Sequence, residues 1–356
     1  MKVGVIGLGK LGLPVALAIE DKGHRVLGWD TNAEIRQMVL ERGQLPYVEE
    51  GAQELLDRNS IEVVVPEQIA EEADLVFVAV QTPHQPQYEG ASRLPDTRAD
   101  FDYSYLESAV RAVVKAECIV VISTVLPGTM ERYILPIVGK SRLLYNPFFI
   151  AMGTTIPDFL APEFSLVGTD ARHPGILRDF YRSIHDAPVF VTTIKTAELT
   201  KVAYNTYIGM KIVFANTMME ICEKTGADVD DLTDALSLAN QRIVSTSYMR
   251  GGMGDGGGCH PRDNIALSWL ARELDLSHDL FNDLMVAREK QTEWLADQIV
   301  TAIDVDTDEV EIMGKAYKPG TALTVGSPAL LLAAILNERG ITYKHTDPYV
   351  EGEQDG

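Results

Sequence analysis

Three glycines near the start of the chain constrain its fold more than any other feature. Gly7, Gly9 and Gly12 form the spacing G-x-G-x-x-G directly after the β-branched run VGVIG and directly before a helical stretch. In such a turn the first glycine permits a tight bend, the second lets a pyrophosphate approach the backbone, and the third lets helix pack on strand. The following helix offers its N-terminal N–H groups and positive dipole end to phosphates. The motif gains weight from Asp30, which ends the next apolar run, RVLGW, where an acid is expected to meet the adenosine ribose. An aspartate there accepts from the ribose hydroxyls and repels a 2′-phosphate, so NAD is expected rather than NADP. The cofactor site is expected to draw on Gly7, Leu8, Gly9, Lys10, Leu11, Gly12 and Asp30.

Two further apolar runs, LVFVAV and CIVVIS, alternate with helical stretches at 13–22, 33–42 and 105–116. Strand–helix alternation of this kind implies an α/β fold: a doubly wound, parallel Rossmann sheet covered on both faces. This domain is placed at residues 1–195. Thr82 and Pro83 in VQTP, and Ser123 and Thr124, end two of the strands. They fall at the carboxyl edge of the sheet, where ligands bind, although ordinary strand-end turns are an alternative. The polar stretch 84–98 reads as a loop, ordered or mobile.

From Thr196 the texture changes. Residues 196–226 carry no proline and read as one long helix closed by Gly226. Helical stretches at 230–239, 265–274 and 278–303 follow, with a glycine-rich loop, RGGMGDGGGCHPRDN, between them. A central helical domain is placed at 196–303, with a homodimer contact expected along the long helix. Residues 304–356 read as a short βαβ remnant of a second Rossmann-like domain, too small to stand without another surface. A length of 356 residues suits two or three domains.

The net charge of −21 argues against nucleic acid or an acidic membrane surface as partner. No apolar run is long enough to span a bilayer. The chain opens directly into a strand, so no signal peptide is expected. Three scattered cysteines lack the spacing of a metal site or disulfide framework and suggest reduced thiols in the cytoplasm.

Two features carry chemistry. Lys201 and Asn205 stand four apart on the long helix and share a face, where a lysine beside an amide can hold a hydroxyl or stabilise an oxyanion; a solvated lysine is the alternative. Cys259 follows a glycine run that would let backbone approach a ligand, and Asp263 comes four residues later. A thiolate can attack an aldehyde, lose hydride from the thiohemiacetal, and leave a thioester for water to hydrolyse. A small buried thiol is the alternative.

The segments GLGKLGLPVA, VQTP, ISTVLPGT, YNPFFIAMGTTIPDFL, AELTKVAYNTY, GMGDGGGCHPRD and GKAYKPGT, in this order, resemble the UDP-glucose/GDP-mannose dehydrogenase family over nearly the whole chain. The resemblance implies oxidation of a nucleotide-sugar CH₂OH to a carboxylate by two hydride transfers to NAD, with a UDP-sugar favoured. It implies Cys259 as nucleophile, Lys201 as oxyanion stabiliser, Asn205 as substrate orienter, and Asp263 and Thr124 as handlers of water or proton. Substrate contacts are implied at Phe149, Lys201, Asn205, Gly257 and Lys318, the last from the third domain.

The chain departs from the family pattern in three places. It reads Asn146-Pro147-Phe148-Phe149 where the family has N-P-E-F, and Phe148 cannot transfer a proton. It reads Val325-Gly326-Ser327-Pro328 where the family has R-E-S-P, and the third domain is short. Two alternatives follow: a single two-electron dehydrogenase of a smaller hydroxy acid or sugar, or an NAD-binding relative without turnover.

Overall fold

The computed structural model describes residues 1–170, 174–239, 252, 254–273, 279–303 and 310–350. The chain divides into two compact units: Met1–Pro83 with Phe101–Lys201, and His84–Asp100 with Val202–Gly356.

The first unit is built on an eight-stranded sheet of order β3-β2-β1-β4-β5-β6-β7-β8. Its strands are β1 (Lys2–Ile6), β2 (Arg25–Trp29), β3 (Glu62–Val63), β4 (Leu75–Val78), β5 (Ile119–Val121), β6 (Leu143–Tyr145), β7 (Ser165–Gly168) and β8 (Val189–Thr192). All pairings are parallel except β6 with β7, which meet antiparallel at Tyr145 and Gly168. The central strands β4 and β5 are buried along their whole length, as a sheet covered on both faces requires. Helices α1 (Gly12–Asp21), α2 (Ala33–Glu41), α3 (Ala52–Arg58), α4 (Pro66–Glu72), α5 (Ser104–Ala112), α6 (Leu135–Val138), α7 (Thr155–Leu160) and α8 (Gly175–Arg182) complete this unit. Sheet growth reverses at β1, which pairs with β2 on one side and β4 on the other. That reversal is the switch point where open α/β sheets bind ligands.

The long helix α9 (Ile194–Thr225) begins in the first unit and continues in the second. It ends at Gly226, whose φ of 77° lets the amides of Gly226 and Ala227 turn back to the carbonyl of Cys222. The second unit adds α10 (Val229–Ser237), α11 (His260–Glu273), α12 (Leu280–Ala302), β9 (Val310–Met313), α13 (Pro328–Glu338) and β10 (Tyr343–Thr346). Strands β9 and β10 pair in parallel, and their apolar face packs with α13 against Ala296, Ile299 and Val300 of α12. Helix α11 starts five residues before the expected position, so His260 to Asn264 belong to a helix and not to the glycine-rich loop. Pro261 is tolerated there because a first-turn residue needs no N–H, and the carbonyl of Cys259 accepts from the amide of Asp263 at 2.8 Å. The expected helix end at 274, the expected helix start at 278 and part of the glycine-rich loop lie outside the described residues. Among the described residues, no helix is long and apolar enough to cross a membrane.

The stretch 84–100 is an ordered strap. Arg93 pairs with Glu293 at 2.5 Å and Glu338 at 2.7 Å, while Tyr88 and Leu94 pack with Val213, Ile265, Leu284 and Met285. A buried arginine pins it from beneath. Arg288 donates to the carbonyls of Gly90 at 2.8 Å, Asp255 at 2.7 Å and Gly326 at 3.5 Å, joining three segments remote in sequence. Arg288→Met leaves those carbonyls without their donors and is expected to cost about 3–5 kcal/mol. Thermal melting checks this; an unchanged midpoint would show that the three segments hold together without the clamp.

Candidate functional site

In the first unit the glycine turn meets the demands of a dinucleotide one residue at a time. Gly7 has φ 95°, and a Cβ there would lie 2.6 Å from the carbonyl oxygen of Ala79. A Cβ on Gly12 would lie 1.8 Å from the carbonyl oxygen of Gly7, so helix and turn can touch only because it is absent. A Cβ on Gly9 would meet nothing within 4 Å, which leaves that side open to a ligand. Leu11 immediately precedes α1 and Lys10 is exposed on the turn. Asp30 receives the amide of Leu8 at 2.8 Å on one carboxylate oxygen and the amide of Asn32 at 2.8 Å on the other. The acid thus ties the glycine turn to the end of β2. Arg36 completes this corner, its guanidinium 4.4 Å from the Trp29 ring centre and donating to the carbonyls of Asp30 and Thr31.

At the neighbouring strand ends the hydroxyls act first as fasteners. Thr82 donates to the carbonyl of Thr124 at 2.7 Å, and Ser123 to that of Val80 at 2.6 Å. The carbonyl of Pro83 accepts from the amide of Asp102. These bonds set the spacing of the β4 and β5 ends beside the glycine turn.

After β6 the two phenylalanines part. Phe148 is half-buried and packs against the hydrophobic core, 6.2 Å from the ring of Phe77 and 5.6 Å from that of Phe159. Phe149 packs 4.8 Å from Phe164 and lies 5.3 Å from Nζ of the buried Lys201. Position 148 is therefore a packing position. One turn before Lys201, sequence reasoning missed Glu198, which is fully buried and accepts the amides of Gly128 at 2.6 Å and Met130 at 2.7 Å. Burial outweighs those two donors and pushes its pKa up to about 7. An acid among the lysines and threonines of the first turns of α9 gave no signal of its burial.

In the second unit a buried polar network surrounds the base of the cysteine loop. Asp263 is wholly buried; one oxygen accepts from the Asn205 amide at 2.5 Å and the other from two N–H groups of Arg262 at 3.1 Å. The Arg262 guanidinium also lies within electrostatic reach of Cys259, which is partly exposed immediately before α11. Asp255 accepts from Nδ1 of His260 at 3.0 Å.

The glycines before Cys259 answer first to the chain itself. A Cβ on Gly254 or Gly256 would lie 2.2 Å or 2.5 Å from Pro328, and one on Gly257 would lie 3.0 Å from the Tyr317 ring. The amide of Gly257 donates to Gly326 at 3.2 Å. The Val325–Pro328 segment thus lies against the cysteine loop, and this packing by itself asks for glycine at 254, 256 and 257. Lys318 places its ammonium 5.7 Å from the Tyr317 ring centre. Thr124, Phe149 and Lys201 belong to the first unit, and Asn205, Gly257, Cys259, Asp263 and Lys318 to the second.

A glycine turn at a parallel-sheet switch point, with an acid closing the next strand, defines an NAD-dependent dehydrogenase of the Rossmann type. The chain matches the NAD-binding-domain model of the UDP-glucose/GDP-mannose dehydrogenase family over residues 1–185 and the central-domain model over 195–288. It belongs to that family, whose members act on CH–OH groups. It is 28% identical to a GDP-mannose 6-dehydrogenase of Pseudomonas aeruginosa, covering 99% of this chain and 82% of that one. It is 29% identical to a UDP-glucose 6-dehydrogenase of Rhizobium meliloti, with 98% and 82% covered. Among solved structures, a UDP-glucose dehydrogenase from Pyrobaculum islandicum superposes with a TM-score of 0.83 at 28% identity, covering 98% of this chain and 82% of that one.

Two variants separate the roles of the glycines. Gly12→Ala is expected to lower the melting temperature, because its Cβ would overlap backbone, whereas Gly9→Ala should melt like wild type and bind NAD at least about tenfold more weakly. Calorimetric titration of NAD with parallel melting curves checks this; equal NAD affinity in Gly9→Ala would remove the open side of Gly9 as the pyrophosphate seat. Glu198 gives a pH prediction. Its folded pKa of about 7 exceeds the ordinary 4.5, so the folded state holds the proton more tightly. Stability therefore falls as pH rises from near 4.5 through about 7 and then levels, by about 3 kcal/mol in all. Glu198→Gln should flatten that stretch of the pH–stability curve; parallel curves for the two proteins would show that Glu198 does not titrate there.

Proposed function

We propose that this protein oxidises the primary alcohol of a nucleotide sugar, a UDP-sugar in preference, to the uronate through a covalent intermediate on Cys259. The observation that carries this reading is the placement of a partly exposed Cys259 directly before α11, with the buried Asn205–Asp263–Arg262 network one turn further on. NAD supplies the hydride acceptor for each of two oxidations. In the first, the alcohol carbon loses hydride and its hydroxyl loses a proton, leaving an aldehyde. The Cys259 sulfur then adds to the aldehyde carbon, and the thiohemiacetal carbon loses the second hydride to become a thioester. Water releases the carboxylate and returns the thiol.

Lys201 is assigned to the oxygen that gains negative charge, since a buried ammonium stabilises an oxyanion more strongly than a hydrated one. Asn205, held by Asp263, orients the sugar. Thr124 and Asp263 are assigned to water and proton handling, and Phe149, Gly257 and Lys318 to the substrate. The glycine turn, Asp30, Thr82, Pro83, Ser123 and Thr124 are assigned to NAD. A homodimer through α9 is part of the reading, supported by the exposed Tyr207 and Met210 on that helix. A reactive thiol at 259 suits the reducing cytoplasm.

The ring at Phe148, packed against Phe77 and unable to transfer a proton, favours one second reading, a dehydrogenase that stops after a single two-electron step. NADH counted against sugar consumed, with UDP-glucose and GDP-mannose as substrates and Cys259→Ala beside wild type, separates the two. Two NADH per sugar, lost in the variant, is the expected result. One NADH per sugar with an active variant would move the assignment to the single-step enzyme.

A further inference from the structure

We propose that Glu198 is a positioning residue for the oxidation: by clamping the turn that follows β5 onto α9, it fixes where Lys201 stands relative to Thr124 within the first unit. This rests on the assignment of Lys201 to the developing oxyanion above.

An ammonium that stabilises an oxyanion works only at a set distance, and a displacement of about 1 Å can slow a reaction ~10²-fold. A lysine does not set that distance by itself, because its four-carbon stem is flexible. Its helix must be held against the strand ends that carry the other reacting groups. Lys201 is buried early in α9, with Nζ 5.3 Å from the ring of Phe149.

Several fastenings reach this part of the helix, and they differ in weight. Asp170, just past β7, accepts the amide of Ile194 at 3.2 Å, at the first residue of the helix. Lys195 pairs with Glu131 at 2.8 Å, but both side chains are largely exposed, and such a pair contributes little. Glu198 is wholly buried, and its two oxygens separately accept the amides of Gly128 at 2.6 Å and Met130 at 2.7 Å. Each carboxyl oxygen keeps a lone pair for its amide in either protonation state. Glu198 and Lys201 stand three apart and are neighbours on one helix face. Burial pushes the pKa of Glu198 up to about 7, so the acid is kept there against a desolvation penalty. An apolar side chain of like length would fill the space without that penalty. What it could not supply is the pair of acceptors.

The clamped turn is itself tied to Thr124. Val125, Leu126 and Met130 are buried. Leu126 is held at both ends of its backbone: its amide donates to the Tyr103 hydroxyl at 3.4 Å, and its carbonyl accepts from the Thr129 hydroxyl at 2.6 Å. The carbonyl of Thr124 accepts from Thr82 at 2.7 Å. A position fixed at Gly128 and Met130 is therefore passed back to Thr124 through a close-packed turn.

Glu198→Gln keeps the shape of the side chain but turns an NH₂ group toward one of the two amides. Steady-state rates test its effect, with excess NAD and whichever of UDP-glucose or GDP-mannose wild type oxidises faster. The variant is expected to lower kcat about 10- to 100-fold. KM for the sugar and Kd for NAD should stay within about twofold of wild type. Lys201→Ala should lose at least as much, and adding Glu198→Gln to it should slow it no further, because nothing is left to position. Glu198→Met, apolar and of similar length, should give the same pattern and serves where the glutamine variant does not fold. Wild-type kcat in these variants, or the same fold-loss in the Lys201→Ala background as in wild type, would overturn the positioning role and leave the Lys201 assignment standing. A fall in kcat matched by an equal loss of NAD affinity would overturn it likewise. Full activity in Lys201→Ala would instead overturn the Lys201 assignment and this proposal with it.

Discussion

A carboxylate removed from water must be given its counter-charge and its donors, or it will not stay ionised. Asp263 is the place where this chain meets that demand most completely. The amide of Asn205 takes one oxygen and the guanidinium of Arg262 the other, with no exposed surface on the acid. Because the three groups come from two helices, satisfying the charge fixes α11 against α9 within the second unit. Cys259 inherits its place from that arrangement, since its carbonyl closes the first turn of the same helix through the Asp263 amide. Loss of any partner would leave a buried charge or an orphan donor, so the network tolerates little adjustment.

The first unit depends on a contact of a different kind, one made possible by a missing atom. The carbonyl of Gly7 occupies the space that a side chain on residue 12 would need. With α1 drawn against the turn, its N-terminal amides point across the sheet's switch point, and Asp30 locks the turn through the amide of Leu8. This local arrangement matters more in a strongly acidic chain. The net charge of −21 repels an anionic ligand at long range, but salt screens that repulsion over about 8–10 Å. Aligned amide dipoles act at contact distance, where screening is weak, so a diphosphate can be held by backbone donors without a basic surface.

What could be read from the sequence was whatever has a fixed spacing. The glycine turn, the acid after β2, the four long strand runs and the long helix closed by Gly226 all stand at positions set by backbone geometry. The later strands β6, β7 and β8 are no shorter than β4 and β5 but lack six-residue apolar runs such as LVFVAV and CIVVIS, which marked those two. The glycine run before Cys259 was legible as a place of close approach, but not as to what approaches. Pro328 and Tyr317 pack there, and contacts across about sixty to seventy residues have no local signature. The strap at 84–100 and the clamp of Arg288 were hidden for the same reason. Glu198 was hidden because an acid on a helix gives no sign of which face it occupies.

Phe148 and Phe149 show how a one-residue difference in direction can change chemistry. Successive side chains leaving a strand end point to opposite faces. Phe148 falls on the face that meets Phe77 and Phe159, and Phe149 on the face that meets Lys201. An ionisable group in the first position would stand half-buried beside two aromatic rings and give up part of its hydration. The core around Phe148 is therefore built for a ring. Whatever proton transfer the chemistry at Cys259 requires, the ring of Phe148 cannot serve it.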